Sequence, residues 1–156
     1  MSAPPAAAVE IRRLIYADLP QVVAIERRAF TTPWSLAMFV LELSKPSGIC
    51  LAAEVERELV GYLICSRYDT VWHVMNVAVD PEHRRRGIAT RMLEALFEMT
   101  EHDGRRGYTL EVRVSNLGAV DLYERLGFER RGVRRGYYTD NREDALVMWR
   151  DAPPEP

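Results

Sequence analysis

Cysteine is scarce in this chain. Two residues among 156, Cys50 and Cys65, carry a thiol, and both sit in apolar runs. They read as small core residues. Neither a disulfide framework nor a metal-ligand cluster can be built from them, since His73, His83 and His102 share no spacing with them or with one another; no metal is expected. Long apolar runs are missing too: none approaches the roughly 20 residues of a membrane span. The Ala/Pro-rich start, Met1 to Ala8, lacks the positive stretch and apolar core of a signal peptide. A large excess of one sign of charge is absent, with 21 Lys and Arg against 23 Asp and Glu and a net charge of −2, which leaves no footprint for general nucleic-acid binding. The phosphate-loop pattern G-x-x-x-x-G-K-S/T and the dinucleotide pattern G-x-G-x-x-G do not occur. Repeats and linkers are also missing. One cytoplasmic domain is expected over residues 9–150, with a flexible leader at 1–8 and a flexible tail at 151–156.

What the chain does contain is an alternation of element types. Val9 to Leu14 alternates like a strand, Asp18 is placed to cap a helix reaching Ala29, and Ser35 opens a second helix. Strands over 49–55 and 59–68, joined by the charged turn Glu56-Arg57-Glu58, read as a hairpin. A strand near 72–79 precedes a helix whose apolar stripe is Ile88, Met92, Leu93, Leu96, Phe97 and Met99, ending near Gly104. Strand 107–114, a helix over 117–126 and strands near 128–134 and 144–150 follow. This order predicts an α+β fold around one mixed sheet with helices on both faces.

The strand that stops at Asp80-Pro81 leads into Arg84-Arg85-Arg86-Gly87-Ile88-Ala89-Thr90 and then a helix. A helix start carries backbone N–H groups without intrahelical partners and about half a positive charge, which suits a pyrophosphate. Gly87 and Ala89 let an anion approach the backbone, and the arginines add charge without covering the amides. A solvated or nucleic-acid-touching basic turn is the plainer alternative.

Two further features stand out. Glu111 and Arg113 interrupt Tyr108 to Val114, a strand predicted to be central, where a carboxylate is costly unless paired or functional. They could pair with each other, because residues two apart share a sheet face, or Glu111 could be a general base. Asn116 suits a helix N-cap. Behind it Ala119, Leu122, Tyr123 and Leu126 form a core-facing stripe, so the Tyr123 hydroxyl must find a partner. That partner could be an ordinary core contact or a reacting group.

The spacing Arg84-x-x-Gly87-x-Ala89 resembles the acyl-coenzyme A turn of the GNAT N-acetyltransferases. About 30 residues further on, Asn116-x-x-Ala119-x-x-Leu122-Tyr123-x-x-Leu126-Gly127-Phe128 resembles a second signature of the same superfamily. Phe30-Thr31-Thr32-Pro33-Trp34-Ser35, Leu110-Glu111-Val112-Arg113 and Arg135-Gly136-Tyr137-Tyr138 narrow the likeness to the ribosomal-protein-alanine N-acetyltransferases, the RimI type, over about residues 9–149. Arg84 stands where Gln is frequent and Ala89 where Gly is frequent; Phe30 and Thr31 depart from the bacterial pattern and leave peptide preference open. The resemblance implies acetyl-CoA as co-substrate, held by Val77, Ala78 and Val79, by Arg85, Arg86, Gly87, Ile88, Ala89 and Thr90, and by Asn116. It implies Glu111 as general base and Tyr123 as general acid. Phe30, Pro33, Trp34, Tyr137 and Tyr138 would bind the acceptor. The partner would be the N-terminus of a protein, a ribosomal one, with no direct nucleic acid, no membrane, and a monomer or weak dimer as the oligomeric state.

An α-amine, with pKa about 7.7–8.0 against about 10.4 for lysine, is roughly 400-fold more often neutral at pH 7, worth about 3.5 kcal/mol. One carboxylate base therefore suits an N-terminal acceptor better than a lysine. A lysine or small-amine acetyltransferase of the same fold is the alternative, and a non-catalytic binding module is the remaining one; His73 is a further candidate to line the site.

Overall fold

The structure, a computed structural model, describes residues 8–102 and 107–152. The expected leader, apart from Ala8, the helix end near Gly104 and the last four residues of the tail lie outside the described residues. Seven strands and four α-helices are present among the described residues: β1 (Val9–Arg13), α1 (Leu19–Ala29), α2 (Leu36–Leu43), β2 (Ile49–Val55), β3 (Glu58–Tyr68), β4 (Val71–Val79), α3 (Ile88–Thr100), β5 (Tyr108–Arg113), α4 (Leu117–Arg125), β6 (Glu129–Arg134) and β7 (Ala145–Arg150). The strands form one mixed sheet in the order β1-β2-β3-β4-β5-β7-β6. The pair β4–β5 is parallel, whereas β1–β2, β5–β7 and β6–β7 are antiparallel. The alternating apolar pattern thus produced the expected class. The chain divides into two compact units.

The first unit comprises the described residues up to Ile64 together with Asn76–Leu96. Its hairpin turn places Glu56 at φ 50° and Arg57 at φ 68°, the double positive φ of a tight turn that normally selects Asn-Gly. Leu51, Ala52, Ala53, Val60, Tyr62 and Leu63 are buried along β2 and β3, and Ile88, Met92, Leu93 and Leu96 of α3 are buried with them. Gly61 explains how close α3 comes. A Cβ there would lie 3.0 Å from the Ala78 carbonyl and 3.3 Å from Met92 Cε, so a side chain would push helix and strand apart. Asp18 was expected to cap α1; its side chain makes no cap bond. It instead accepts the Arg12 guanidinium at 2.8 and 2.9 Å and the Ile15 N–H at 2.8 Å, because a fork of charged donors outcompetes a single amide. Ser35 does cap α2, accepting from the Met38 N–H.

The second unit comprises Cys65–Met75 and the described residues from Phe97 onward. Here Trp72 pairs with Tyr108 and His73 with Thr109, while Glu111 lies opposite Val147 on β7. The register of β6 against β7 shifts between Arg130 and Gly132. Met99, expected on the buried stripe, is exposed; in that last turn Thr100 is buried instead, its hydroxyl bonded to that of Tyr108. The Arg150 guanidinium lies 3.9 Å over the Phe97 ring and donates to the Leu126 carbonyl at 2.9 Å. That bond satisfies a carbonyl freed at the end of α4.

Candidate active site

In the first unit, Val77, Ala78 and Val79 close β4, and Asp80 begins the turn that follows. The Asp80 N–H donates to the Val60 carbonyl at 2.7 Å, and its carboxylate takes the Glu82 N–H and the Arg28 guanidinium. The turn is thereby pinned to β3 and to the end of α1. Arg84, Arg85, Arg86 and Gly87 are exposed, with Arg85 at φ 64° and Gly87 at φ 73°. The first i to i−4 bond of α3 runs from the Arg91 N–H to the Gly87 carbonyl, so the amides of Ile88, Ala89 and Thr90 have no partner within the helix. A Cβ at Gly87 would meet nothing within 4 Å. Open space over free amides, next to three arginines, fits a pyrophosphate and not a bulky apolar group.

The same unit holds Phe30, Pro33 and Trp34 in the turn between α1 and α2. Phe30 and Pro33 are exposed and Trp34 is half-buried against Phe39, ring centroids 5.2 Å apart. Glu26 organises this turn, and sequence reasoning missed it. Its carboxylate is 1% exposed and accepts the Trp34 N–H at 2.9 Å, the Asn76 amide at 2.9 Å and the Tyr62 hydroxyl. One buried carboxylate thus joins the turn to the strand that ends in Val77–Val79. The signal was available: Glu26 lies four residues after Val22 on the buried stripe of α1.

The second unit holds the acid and base candidates. Glu111 does not pair with Arg113. Its Oε2 lies 2.7 Å from His73 Nε2 and its Oε1 3.3 Å from Arg134 Nε. The His73 hydrogen bond above all, and then the charges of His73 and Arg134 against the opposing effect of burial, hold the carboxyl below the usual range. His73 was the one histidine with a place in the expected site, and the parallel register of β4 and β5 delivers it. Arg113 instead reaches Asp140 at 2.9 Å, Glu143 at 3.3 Å and Asn141 at 3.2 Å, and its guanidinium stacks 4.0 Å from the Tyr138 ring.

Tyr123 sits on α4 beside Phe128, centroids 5.7 Å apart. Burial, followed by the neighbouring Tyr138, pushes its hydroxyl up to about 12. Tyr138 itself is pushed up to about 12, by burial first and with smaller contributions from Glu111 and others. It therefore lies in electrostatic reach of both Glu111 and Tyr123. Tyr137 packs edge-on against Tyr138 at 5.1 Å. Asn116 is the N-cap of α4, accepting the Ala119 N–H at 3.2 Å, and it remains exposed. The expected stripe of α4, Ala119, Leu122, Tyr123 and Leu126, is half-buried, whereas Val120, outside that stripe, is buried. Chemically, this unit offers an anionic carboxylate and a neutral phenol at pH 7.

The sequence profile of the Acetyltransferase (GNAT) family matches residues 19–128. The ribosomal protein bS18-alanine N-acetyltransferase of Escherichia coli is 36% identical over 133 residues, spanning 84% of this chain and 89% of that protein. The N-alpha-acetyltransferase RimI of Mycobacterium tuberculosis is 36% identical over 151 residues, spanning 92% and 93%. Among solved structures, the ribosomal-protein-S18-alanine N-acetyltransferase from Escherichia coli superposes with a TM-score of 0.88 at 33% identity, over 96% of this chain and 97% of that one.

Proposed function

Since this chain belongs to the GNAT family of acetyltransferases, we propose that it moves the acetyl group of acetyl-CoA onto the N-terminal alanine of a ribosomal protein. The carrying observation is the 36% identity, along most of both chains, to a relative named for that reaction on bS18. A ribosomal substrate puts the reaction in the cytoplasm.

The residues divide the work as follows. The amides and arginines of turn 84–90 take the pyrophosphate of acetyl-CoA, which supplies the activated acetyl group as a thioester. Val77–Val79 offer strand backbone along its length, and a backbone N–H near Val79 donates to the oxyanion. Asn116 adds a polar contact to the cofactor, and Phe30, Pro33, Trp34, Tyr137 and Tyr138 line the acceptor. Glu111, anionic at neutral pH, removes the ammonium proton through a water. His73, donating from Nε2, keeps that carboxylate aimed. Tyr123 gives its proton to the leaving thiolate. Burial that disfavours its phenolate also disfavours a thiolate beside it, so donor and acceptor shift in the same direction.

The test is thiol release from acetyl-CoA with three acceptors: a hexapeptide beginning with alanine, the same peptide N-terminally blocked and carrying a lysine, and spermidine. Turnover with the free N-terminus alone is the expected result. Turnover confined to lysine or spermidine would discard the N-terminal reading.

A further inference from the structure

Arg113 has no role in the chemistry above, yet its side chain engages four residues of the second unit, Asp140, Asn141, Glu143 and Tyr138. Its root lies two residues beyond Glu111 on β5, so both side chains leave the same face of the strand. From there the guanidinium enters the loop between β6 and β7, residues 135–144. It bonds the Asp140 carboxylate at 2.9 Å, the Glu143 carboxylate at 3.3 Å and the Asn141 side chain at 3.2 Å, while its plane covers the Tyr138 ring at 4.0 Å.

Other bonds of the loop close it on itself or onto the backbone just after β5, and the Arg134 guanidinium of β6 lies 5.9 Å from the Tyr137 ring. The Tyr138 N–H donates to the Glu143 carbonyl at 3.2 Å, the Gly136 N–H to the Asp144 carboxylate at 2.8 Å and the Glu143 N–H to the Asn141 side chain at 3.0 Å. Glu143 also accepts the Ser115 N–H at 2.8 Å, and the Val114 N–H donates to the Asp144 carbonyl at 3.2 Å. Arg113 is thus a side chain of β5 that fixes the loop, and it does so next to the carboxylate assigned as base. Three polar partners and a ring stack need a planar fork of donors; a lysine ammonium on a flexible stem can serve one partner at a time and cannot stack.

We propose that Arg113 is a positioning residue that sets the demand for a peptide over a small amine, by holding the Tyr137–Tyr138 loop in the form that grips the residues behind the acceptor amine. This rests on the N-terminal peptide reading. Holding the loop in advance removes the ordering cost from peptide binding, and a ligand of a partly populated conformation loses affinity in proportion to that population. An acceptor with nothing behind its first residue gains little from the loop.

The measurement is a set of kcat and KM values for an alanine-led hexapeptide and for alaninamide, with the wild type, Arg113→Lys and Arg113→Ala, alongside thermal melts. If the loop falls to about a tenth occupancy of its held form, the hexapeptide KM rises about tenfold in Arg113→Ala. Alaninamide kcat/KM and the acetyl-CoA KM stay within about twofold under the same argument, and Arg113→Lys falls between. Should Arg113→Ala fail to fold, Arg113→Lys, which keeps the charge and lacks the fork, carries the comparison. Equal losses on both acceptors, or an unchanged hexapeptide KM, would overturn the role of Arg113 alone. A wild type that favours alaninamide over the hexapeptide would overturn both this role and the peptide reading.

Discussion

Glu111 shows how little a residue's type says until its partners are known. A carboxylate in a central strand is costly when bare; beside His73 and Arg134 it is held anionic. Tyr123 is the reverse case, a phenol kept neutral by burial, with no hydrogen bond contributing to its shift. With these roles, Glu111→Gln and Tyr123→Phe are each expected to lower kcat by about 100-fold or more, the range of general acid–base catalysis. Acetyl-CoA affinity, measured by direct titration, should be nearly unchanged in both. Wild-type turnover in both variants would remove the acid–base assignment. Arg113 and Glu26 belong to the same scale: neither is assigned a chemical step, and each fixes a turn through several hydrogen bonds.

At the scale of the element, the turn into α3 depends on Gly87. At φ 73° any side chain is strained, by about 1 kcal/mol for alanine. Because a Cβ would enter open space, Gly87→Ala should still fold, with a melting temperature lowered by roughly 2–4 °C on the scaling for a chain of this size. Its KM for acetyl-CoA should rise, since the new methyl occupies the approach to the Ile88–Thr90 amides. An unchanged KM would take the pyrophosphate away from this turn. Elements were where the sequence was most readable. The strands over 49–55 and 59–68 and the helices opened by Ser35 and Asn116 stand where alternation, capping type and apolar spacing put them. Asp18 stands at the expected N-cap position without a cap bond and Met99 is exposed, because an ion pair to Arg12, six residues back, and the packing at a helix end overrode local preference.

At the scale of the whole molecule, three buried or half-buried carboxyls among the described residues, those of Asp18, Glu111 and Glu143, are held below their ordinary range. Asp18 is lowered chiefly by its hydrogen bonds to Arg12, and Glu111 chiefly by His73. A carboxyl with a depressed folded-state pKa stabilises fully above its unfolded value, about 4, and loses that contribution as pH falls through the folded value. The melting temperature should therefore be nearly level from pH 7 to about 5 and drop below about 4. Asp18→Asn should melt lower at pH 7, and the gap to the wild type should narrow as pH falls below about 4. A gap that does not change below about pH 4 would show that the ionised Asp18–Arg12 pair is not what stabilises the fold at pH 7.

The sequence by itself determined the local grammar: which segments alternate with period two or repeat near 3.6, where Ser35 and Asn116 cap, and where a glycine among arginines precedes a helix. These are properties of neighbouring residues and fixed backbone geometry, so they are written in order along the chain. Tertiary structure decided who answers each charge. Glu111 took His73 and Arg134 instead of Arg113, Arg113 took Asp140 and Glu143, Asp18 took Arg12, and Glu26 gathered donors from a turn and two strands. Apart from Asp18 and Arg12, each pairing joins residues at least 8 apart, and most join residues more than 20 apart. Strand register and burial chose among partners that were chemically equivalent on paper, because a buried charge must be met by whichever donor the packing brings within about 3 Å.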